Sequence, residues 1–216
     1  MKPLTILLCL VLPYLIGCIN PAYILAKCKG FDIRQQGSGN AGASNAVITL
    51  GKGVGIASAL FDIGKGYAAI ALCQRLCPGQ ALVLPLAATA VIAGHIFPAF
   101  MGFRGGKGLA CLAGALIRYD WRLFLLFLAV EAVLALLTDY ICVIPLTASV
   151  AFAVIYAIQT RYVPGVLLFL VIIGMIYYKH WENLKRIRTG GEMHLSYLWR
   201  PKEEEQRMEE YQQQEH

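Results

Sequence analysis

Apolar residues along this chain fall in long, nearly uninterrupted runs separated by short polar stretches, and several runs are long enough to cross hydrocarbon. The pattern predicts membrane spans over residues 4–25, 54–76, 81–101, 123–137, 141–158 and 163–178. The run 109–117 has only nine residues, too few to cross, and reads as a half-helix or re-entrant segment. Counting it as a pass gives an all-α integral membrane protein of about seven transmembrane helices. Cys77-Pro78-Gly79-Gln80 and residues 159–162 read as turns, and Arg118-Tyr119-Asp120-Trp121-Arg122 as an aromatic-basic interface anchor. Asp62 and Lys65 interrupt the second span three residues apart, where a shared helix face lets them neutralise each other. Glu131 lies mid-span and reads as a satisfied structural acid.

Composition agrees: 58% of the residues are apolar and the mean hydropathy is +0.60, too high for a soluble domain. One membrane-embedded domain is expected over residues 1–200, followed by an acidic polar tail over 201–216, an exposed helix or a disordered segment. That tail holds six glutamates and two basic residues; the body then carries 17 basic and 7 acidic residues, a net +10. A basic membrane protein suits anionic headgroups or anionic substrates, and the lipid bilayer is its surrounding partner. No basic, aromatic-interleaved segment supports nucleic-acid binding. The seven cysteines complete no zinc pattern and read as small buried residues. The first 17 residues resemble a signal peptide, and Leu15-Ile16-Gly17-Cys18 a lipoprotein cleavage site, but the apolar pattern continues to Ile24, which favours a retained helix.

Two glycine-rich loops carry the candidate chemistry. Gly37-Ser38-Gly39-Asn40-Ala41-Gly42-Ala43-Ser44-Asn45 formally matches a dinucleotide fingerprint, but a membrane run precedes it, not a strand, so it reads as a tight turn or an anion cradle. Gly105-Gly106-Lys107-Gly108 opens a short helix, where backbone N–H groups, a helix N-terminus and an ammonium suit a phosphate; the plain alternative is a flexible basic loop. His180, Asn183 and Arg186 follow the last span at intervals of three, along one helix face. There a histidine and an amide can position a hydroxyl and an arginine can hold an anion; the alternative is a polar helix end. His95 reads equally as a packed, hydrogen-bonded histidine or a catalytic one. No serine or cysteine triad and no nucleophile elbow is present. Seven passes put both loops and the C-terminal segment on one side. That side carries Lys27, Lys29, Arg34, Lys52, Arg104, Lys107, Lys179, Lys185, Arg186 and Arg188 against Lys2, Arg75, Arg118, Arg122 and Arg161 opposite, which by the positive-inside rule is the cytoplasm.

Together these segments resemble the bacterial acyl-phosphate:glycerol-3-phosphate acyltransferases. The likeness runs through Asp32-Ile33-Arg34-Gln35-Gln36-Gly37-Ser38-Gly39-Asn40, Gly42 to Asn45, Leu50-Gly51-Lys52, Asp62, Lys65 and Gly66. It continues through Gly94-His95-Ile96-Phe97-Pro98, Phe103 to Gly108, His180, Glu182-Asn183-Leu184, Arg186, Gly190 and Glu192. The resemblance implies a seven-helix fold in the bacterial cell membrane with the motif loops and C-terminus cytoplasmic. It also implies transfer of a fatty acyl group from acyl phosphate to the 1-hydroxyl of glycerol 3-phosphate, giving lysophosphatidic acid in phospholipid synthesis. No cofactor or metal is implied, and other phospholipid-synthesis enzymes are candidate partners. Ser38, Lys107, His180 and Asn183 are the implied catalytic residues. Gly37, Gly39, Asn40, Asn45, Lys52, Gly105, Gly106, Gly108, Arg186 and Glu192 are the implied substrate-binding ones. An acyl phosphate is an activated mixed anhydride, so the enzyme mainly has to align two phosphate-bearing molecules and stabilise an oxyanion, with a substrate or leaving phosphate as candidate base.

The chain departs from the family pattern at three places. Ile48 stands where an arginine is usual, Asp139-Tyr140-Ile141-Cys142 replaces Arg-Tyr-Val-Ser, and Gly17-Cys18-Ile19-Asn20 replaces Gly-Ser-Ile-Pro. If residues 48–52 are helical, Lys52 lies one turn beyond Ile48 and can partly compensate. The departures favour one alternative, a non-catalytic or re-purposed paralogue that binds a lipid-phosphate ligand. A small transporter has only Asp62, Lys65 and Glu131 in its favour, and no inverted repeat is evident.

Overall fold

The computed structural model describes residues 2–214, and these form helices and loops with no strand. In chain order the helices are α1 (Pro3–Cys18), α2 (Pro21–Cys28), α3 (Ala43–Leu50), α4 (Lys52–Leu76) and α5 (Val83–Ile96). There follow α6 (Leu109–Tyr119), α7 (Trp121–Thr138), α8 (Val143–Thr160), α9 (Val163–Thr189) and α10 (Pro201–Gln214). Among the described residues five helical segments are long and apolar enough to cross a membrane, and a sixth if α1 and α2 count as one bent span. Short α6 is the seventh apolar segment. The protein is a multi-pass integral membrane protein.

Helix α5 is the hub: every residue from Val83 to Ile96 except Ala93 is buried. Its close approach to α1 depends on missing side chains, since a Cβ on Gly17 or Gly94 would run into the other helix's backbone at Val91 or Tyr14. Short α6 is held against α4 in the same way, through Gly66 and Gly114. Small residues at helix crossings are how membrane helices gain dispersion contact where no hydrophobic force drives them together. Helices α8 and α9 close the core with Phe152 and Phe169, whose rings meet edge-on at 4.7 Å. By contrast α7 shows most of its apolar surface outward, as a lipid-facing helix should. The Glu131 carboxylate on α7 accepts a 2.6 Å hydrogen bond from Thr147 Oγ on α8.

The first span is not one helix. α1 and α2 meet at a 41° bend. Pro21 occupies the first turn of α2 and has no N–H to continue the ladder. The Tyr23 N–H, which in an unbroken helix would reach the Ile19 carbonyl, instead binds the Asn20 side chain at 2.9 Å. The released Ile19 carbonyl accepts from the Lys65 ammonium at 2.6 Å. The same ammonium lies 2.6 Å from Asp62 and 3.1 Å from His95 Nδ1, so the expected pairing of Asp62 with Lys65 is present and extended. Asp62, His95 and Cys111 bring their ligand atoms within 4.8 Å of one another, but the Lys65 ammonium already bridges the first two. His95 is therefore a packed, hydrogen-bonded residue.

Removing one member of a buried ion pair leaves the other charge uncompensated, at a cost of about 3–5 kcal/mol. Lys65→Met should therefore lower the thermal unfolding midpoint in detergent sharply. Asp62→Asn combined with Lys65→Met should recover most of the loss. Equal midpoints for the single and double variants would contradict this account.

Candidate functional site

The first glycine loop is shaped from within. Gly37 and Gly39 have φ of +57° and +71°, the left-handed region that glycine adopts without strain. Asn45, fully buried on α3, donates from its amide to the Ile33 carbonyl (2.8 Å) and the Gln36 carbonyl (3.0 Å). Its Oδ1 accepts from the Ser38 N–H at 2.8 Å. Asn45 thus folds the loop, and the amide of Ser38 is committed to it. The Ser38 side chain is exposed and that of Asn40 half-buried. Asn20 fixes the loop's far end by donating to the Ala41 carbonyl at 2.7 Å.

Arg34 joins this loop to the second one. Its guanidinium grips Asp32 in two hydrogen bonds (2.9 and 2.7 Å) and donates to the Met101 carbonyl at 2.6 Å. That grip holds the Asp32 carboxyl well below the usual carboxylate range. The Asp32-x-Arg34 spacing was in the sequence, but nothing there said the arginine would reach sixty-seven residues along the chain.

In the second loop the Gly105 and Gly106 amides donate to the Ile96 and His95 carbonyls (3.0 and 3.1 Å). The expected anion cradle therefore does not rest on those two amides, because they anchor the loop to the end of α5. A Cβ on Gly106 would meet the His95 ring, so the loop lies directly on the buried cluster. Gly108, at φ +92°, turns the chain into α6. What the loop presents is Lys107, whose ammonium donates to Asn183 Oδ1 at 2.7 Å. Burial lowers its pKa, opposed by the nearby Glu192 carboxylate.

Helix α9 continues well past its apolar run, which puts His180, Asn183 and Arg186 on one face as the spacing predicts. The network then closes. Asn183 donates to Glu192 Oε1 at 2.6 Å, and Arg186 donates to the other oxygen at 2.8 Å. His180 is buried; its Nδ1 lies 2.8 Å from the Ile176 carbonyl, which can only accept, so Nδ1 carries the proton and Nε2 is left with a lone pair in the neutral ring. Cys142 lies against Glu192, and burial with that carboxylate pushes its thiol up to about 11, so it stays a neutral donor. The structure thus gathers Lys107, His180, Asn183, Arg186, Glu192 and Cys142.

Lys52 stands apart. Gly51, at φ +97°, breaks the chain between α3 and α4, so residues 48–52 are not one helix and Lys52 does not follow Ile48 by a turn. Both side chains are exposed, and among the described residues no hydrogen bond or ion pair joins Lys52 to the Lys107 network. Asp139, met in sequence as a lost arginine, accepts from the Ser196 N–H and hydroxyl, each at 2.7 Å.

Residues 7–190 match the family model described as glycerol-3-phosphate acyltransferase. The glycerol-3-phosphate acyltransferase 1 of Oceanobacillus iheyensis is 41% identical over 87% of this chain and 94% of its own. The Thermoanaerobacter pseudethanolicus glycerol-3-phosphate acyltransferase is 36% identical over 86% and 93%. A crystal structure of PlsY (YgiH), an integral membrane glycerol 3-phosphate acyltransferase, in its glycerol 3-phosphate form superposes with a TM-score of 0.81 at 30% identity, covering 89% of this chain and 96% of that one. Its lysophosphatidic acid form gives a TM-score of 0.77. With residues 7–190 matched and relatives of this identity, the chain belongs to the glycerol-3-phosphate acyltransferase family.

Proposed function

We propose that this protein transfers a fatty acyl group from acyl phosphate to the 1-hydroxyl of glycerol 3-phosphate, releasing lysophosphatidic acid and phosphate. The carrying observation is the network in which Lys107, Asn183, Arg186 and Glu192 are hydrogen-bonded into one polar assembly beside buried His180. Two cations in it suit a phosphate. His180 Nε2 is an acceptor for the substrate hydroxyl. The glycerol oxygen attacks the acyl carbonyl carbon, the bond from that carbon to the phosphate oxygen breaks, and phosphate leaves with the electron pair. The hydroxyl proton passes to a phosphate oxygen. No enzyme nucleophile is needed, because the anhydride is already activated and alignment with charge stabilisation supplies the rate. Ser38, Asn40 and the loop of Gly37 and Gly39 contact the donor in this reading, with Asn45 holding the loop. The Gly105–Gly108 loop aims Lys107, and Lys52 offers a peripheral positive charge. Residues 1–200 form the catalytic domain in the bacterial cell membrane, motif loops and C-terminus cytoplasmic, as the ten-to-five split of basic residues favours.

Ile48 is 67% exposed on α3 and brings no charge where family members usually have an arginine. That observation favours a second reading, a paralogue that binds lipid phosphate without turnover.

Purified protein given palmitoyl phosphate and labelled glycerol 3-phosphate should form lysophosphatidic acid, and Lys107→Ala should abolish it. No product from folded protein would favour the second reading. Ile48→Arg with Cys142→Ser should raise kcat/KM by about 10- to 150-fold, the scale of one charge-assisted hydrogen bond. Because the Lys107 pKa is lowered, kcat/KM should fall on the alkaline side below the pH at which an ordinary lysine titrates. In any residual activity of Lys107→Arg that limb should move to higher pH.

A further inference from the structure

Helix α10 reads in sequence as a solvated acidic tail and lies beyond the segment matched by the family model, residues 7–190. One side of it is nonetheless built into the protein. Glu204 is buried on this helix, and Arg207, Met208 and Tyr211 are half-buried on it. Its carboxylate accepts from the His194 N–H at 2.8 Å and from Arg207 Nε at 2.9 Å, and lies 3.1 Å from the His194 ring. The Arg207 guanidinium and the His194 contact hold its pKa down at about 2. His194 Nε2 lies 3.1 Å from the Tyr140 hydroxyl, and Asp139 holds Ser196, so the whole segment is moored to the corner between α7 and α8. Tyr211 covers Gly191, and its hydroxyl lies 3.0 Å from Thr189 Oγ.

Arg207 reaches further. Its guanidinium donates to the Gly190 carbonyl and, at 2.6 Å, to the Glu192 carbonyl. It thereby fixes the backbone turn that ends α9. The side chain of the same Glu192 orients Asn183 and Arg186, and Asn183 in turn holds Lys107. A guanidinium with several donors in a rigid fork is suited to pinning two carbonyls and a carboxylate at once. The path from α10 to Lys107 thus enters Glu192 at its backbone carbonyl and leaves through its side chain to Asn183 and Lys107.

We infer that Arg207 is a positioning residue for the phosphate-binding site, and that α10 is a working strap which sets Glu192 so that Asn183, Arg186 and Lys107 meet the phosphate of glycerol 3-phosphate. The substrate assignment rests on the function proposed above. The strap acts on the acceptor alone, since its hydrogen bonds lead to the α9 end of the site and not to the Gly37–Asn45 loop.

The test compares the parent protein with Arg207→Ala, Arg207→Lys, Glu204→Gln and, as a control on the exposed surface of α10, Glu209→Ala. Glycerol 3-phosphate binding by calorimetry is read without turnover, beside kcat, both KM values and the thermal midpoint. Arg207→Ala should weaken glycerol 3-phosphate binding and raise its KM about 3- to 10-fold, the scale of one net hydrogen bond. The acyl-phosphate KM should hardly change, even where the loss of Glu204's partner lowers the midpoint. Arg207→Lys should restore part of the loss, Glu204→Gln should show a smaller shift in the same direction, and Glu209→Ala should match the parent. Unchanged binding in Arg207→Ala overturns the inference, as does a rise of both KM values together with a fall of the midpoint, which would make α10 a structural cap. A parent protein that binds glycerol 3-phosphate but makes no product sinks the proposed reaction, while the binding comparison still decides the role of Arg207.

Discussion

A single buried ammonium, that of Lys65, joins the parts on which the site is built. It satisfies the Ile19 carbonyl freed at the break in the first span, pairs with Asp62 on its own helix and touches His95 at the end of α5. Water cannot compete inside such a bundle, so each of these contacts is stronger than at a surface, and each unmet partner would be correspondingly costly. The backbone just beyond Lys65's contact with His95 is the one on which the Gly105–Gly106 turn hangs. The loop is thus seated on electrostatics as well as on apolar packing. A shift of His95 would carry the Lys107 loop with it, because Gly106 leaves no space between the loop and the ring.

Above that base lies an open chain of polar groups to which the proposed reaction assigns no covalent work. Lys107 and Arg186 are held apart by Asn183 and Glu192, a neutral amide and one carboxylate for two cations. An excess of positive charge partly removed from water is the condition in which a bound phosphate gains most. It also explains why the apparent lack of a triad is no obstacle. The reacting carbonyl arrives activated, and the protein's task is to hold anions in line.

Much of this was legible in the sequence, for identifiable reasons. Membrane spans are read from run length, because lipid forces every backbone group to bond within the helix. The three-residue spacing of His180, Asn183 and Arg186 placed them on one face because α9 does not stop where its apolar run stops. The bend between α1 and α2 was hidden because hydropathy ignores it; Asn20 and Pro21, a cap followed by a proline, were the signal. Whether residues 48–52 are one helix stays open in the sequence, because a glycine tolerates both answers; the structure puts Gly51 in the left-handed region and breaks the link from Ile48 to Lys52. Side-chain roles were harder. Asn45 looked like a ligand and is the loop's own fastener, a choice set by geometry between residues that composition cannot rank. Buried Glu204 gave no sign of itself within a run of three glutamates.

The departures from the family pattern at Cys142, Asp139 and Ile48 are not equivalent once they are placed. Cys142 offers a neutral donor to Glu192, though a thiol donates more weakly than the hydroxyl of the serine usual there. Asp139 has been absorbed into a different interaction, the mooring of Ser196 and the chain that leads to α10. The corner it occupies is occupied by other hydrogen bonds rather than left empty. Ile48 alone has no such replacement: it is exposed, apolar, and separated by the Gly51 break from the nearest lysine along the chain. If the protein handles its substrates less well than its relatives, the deficit should therefore be sought at α3 and not in the network around Lys107, which the other two changes leave connected.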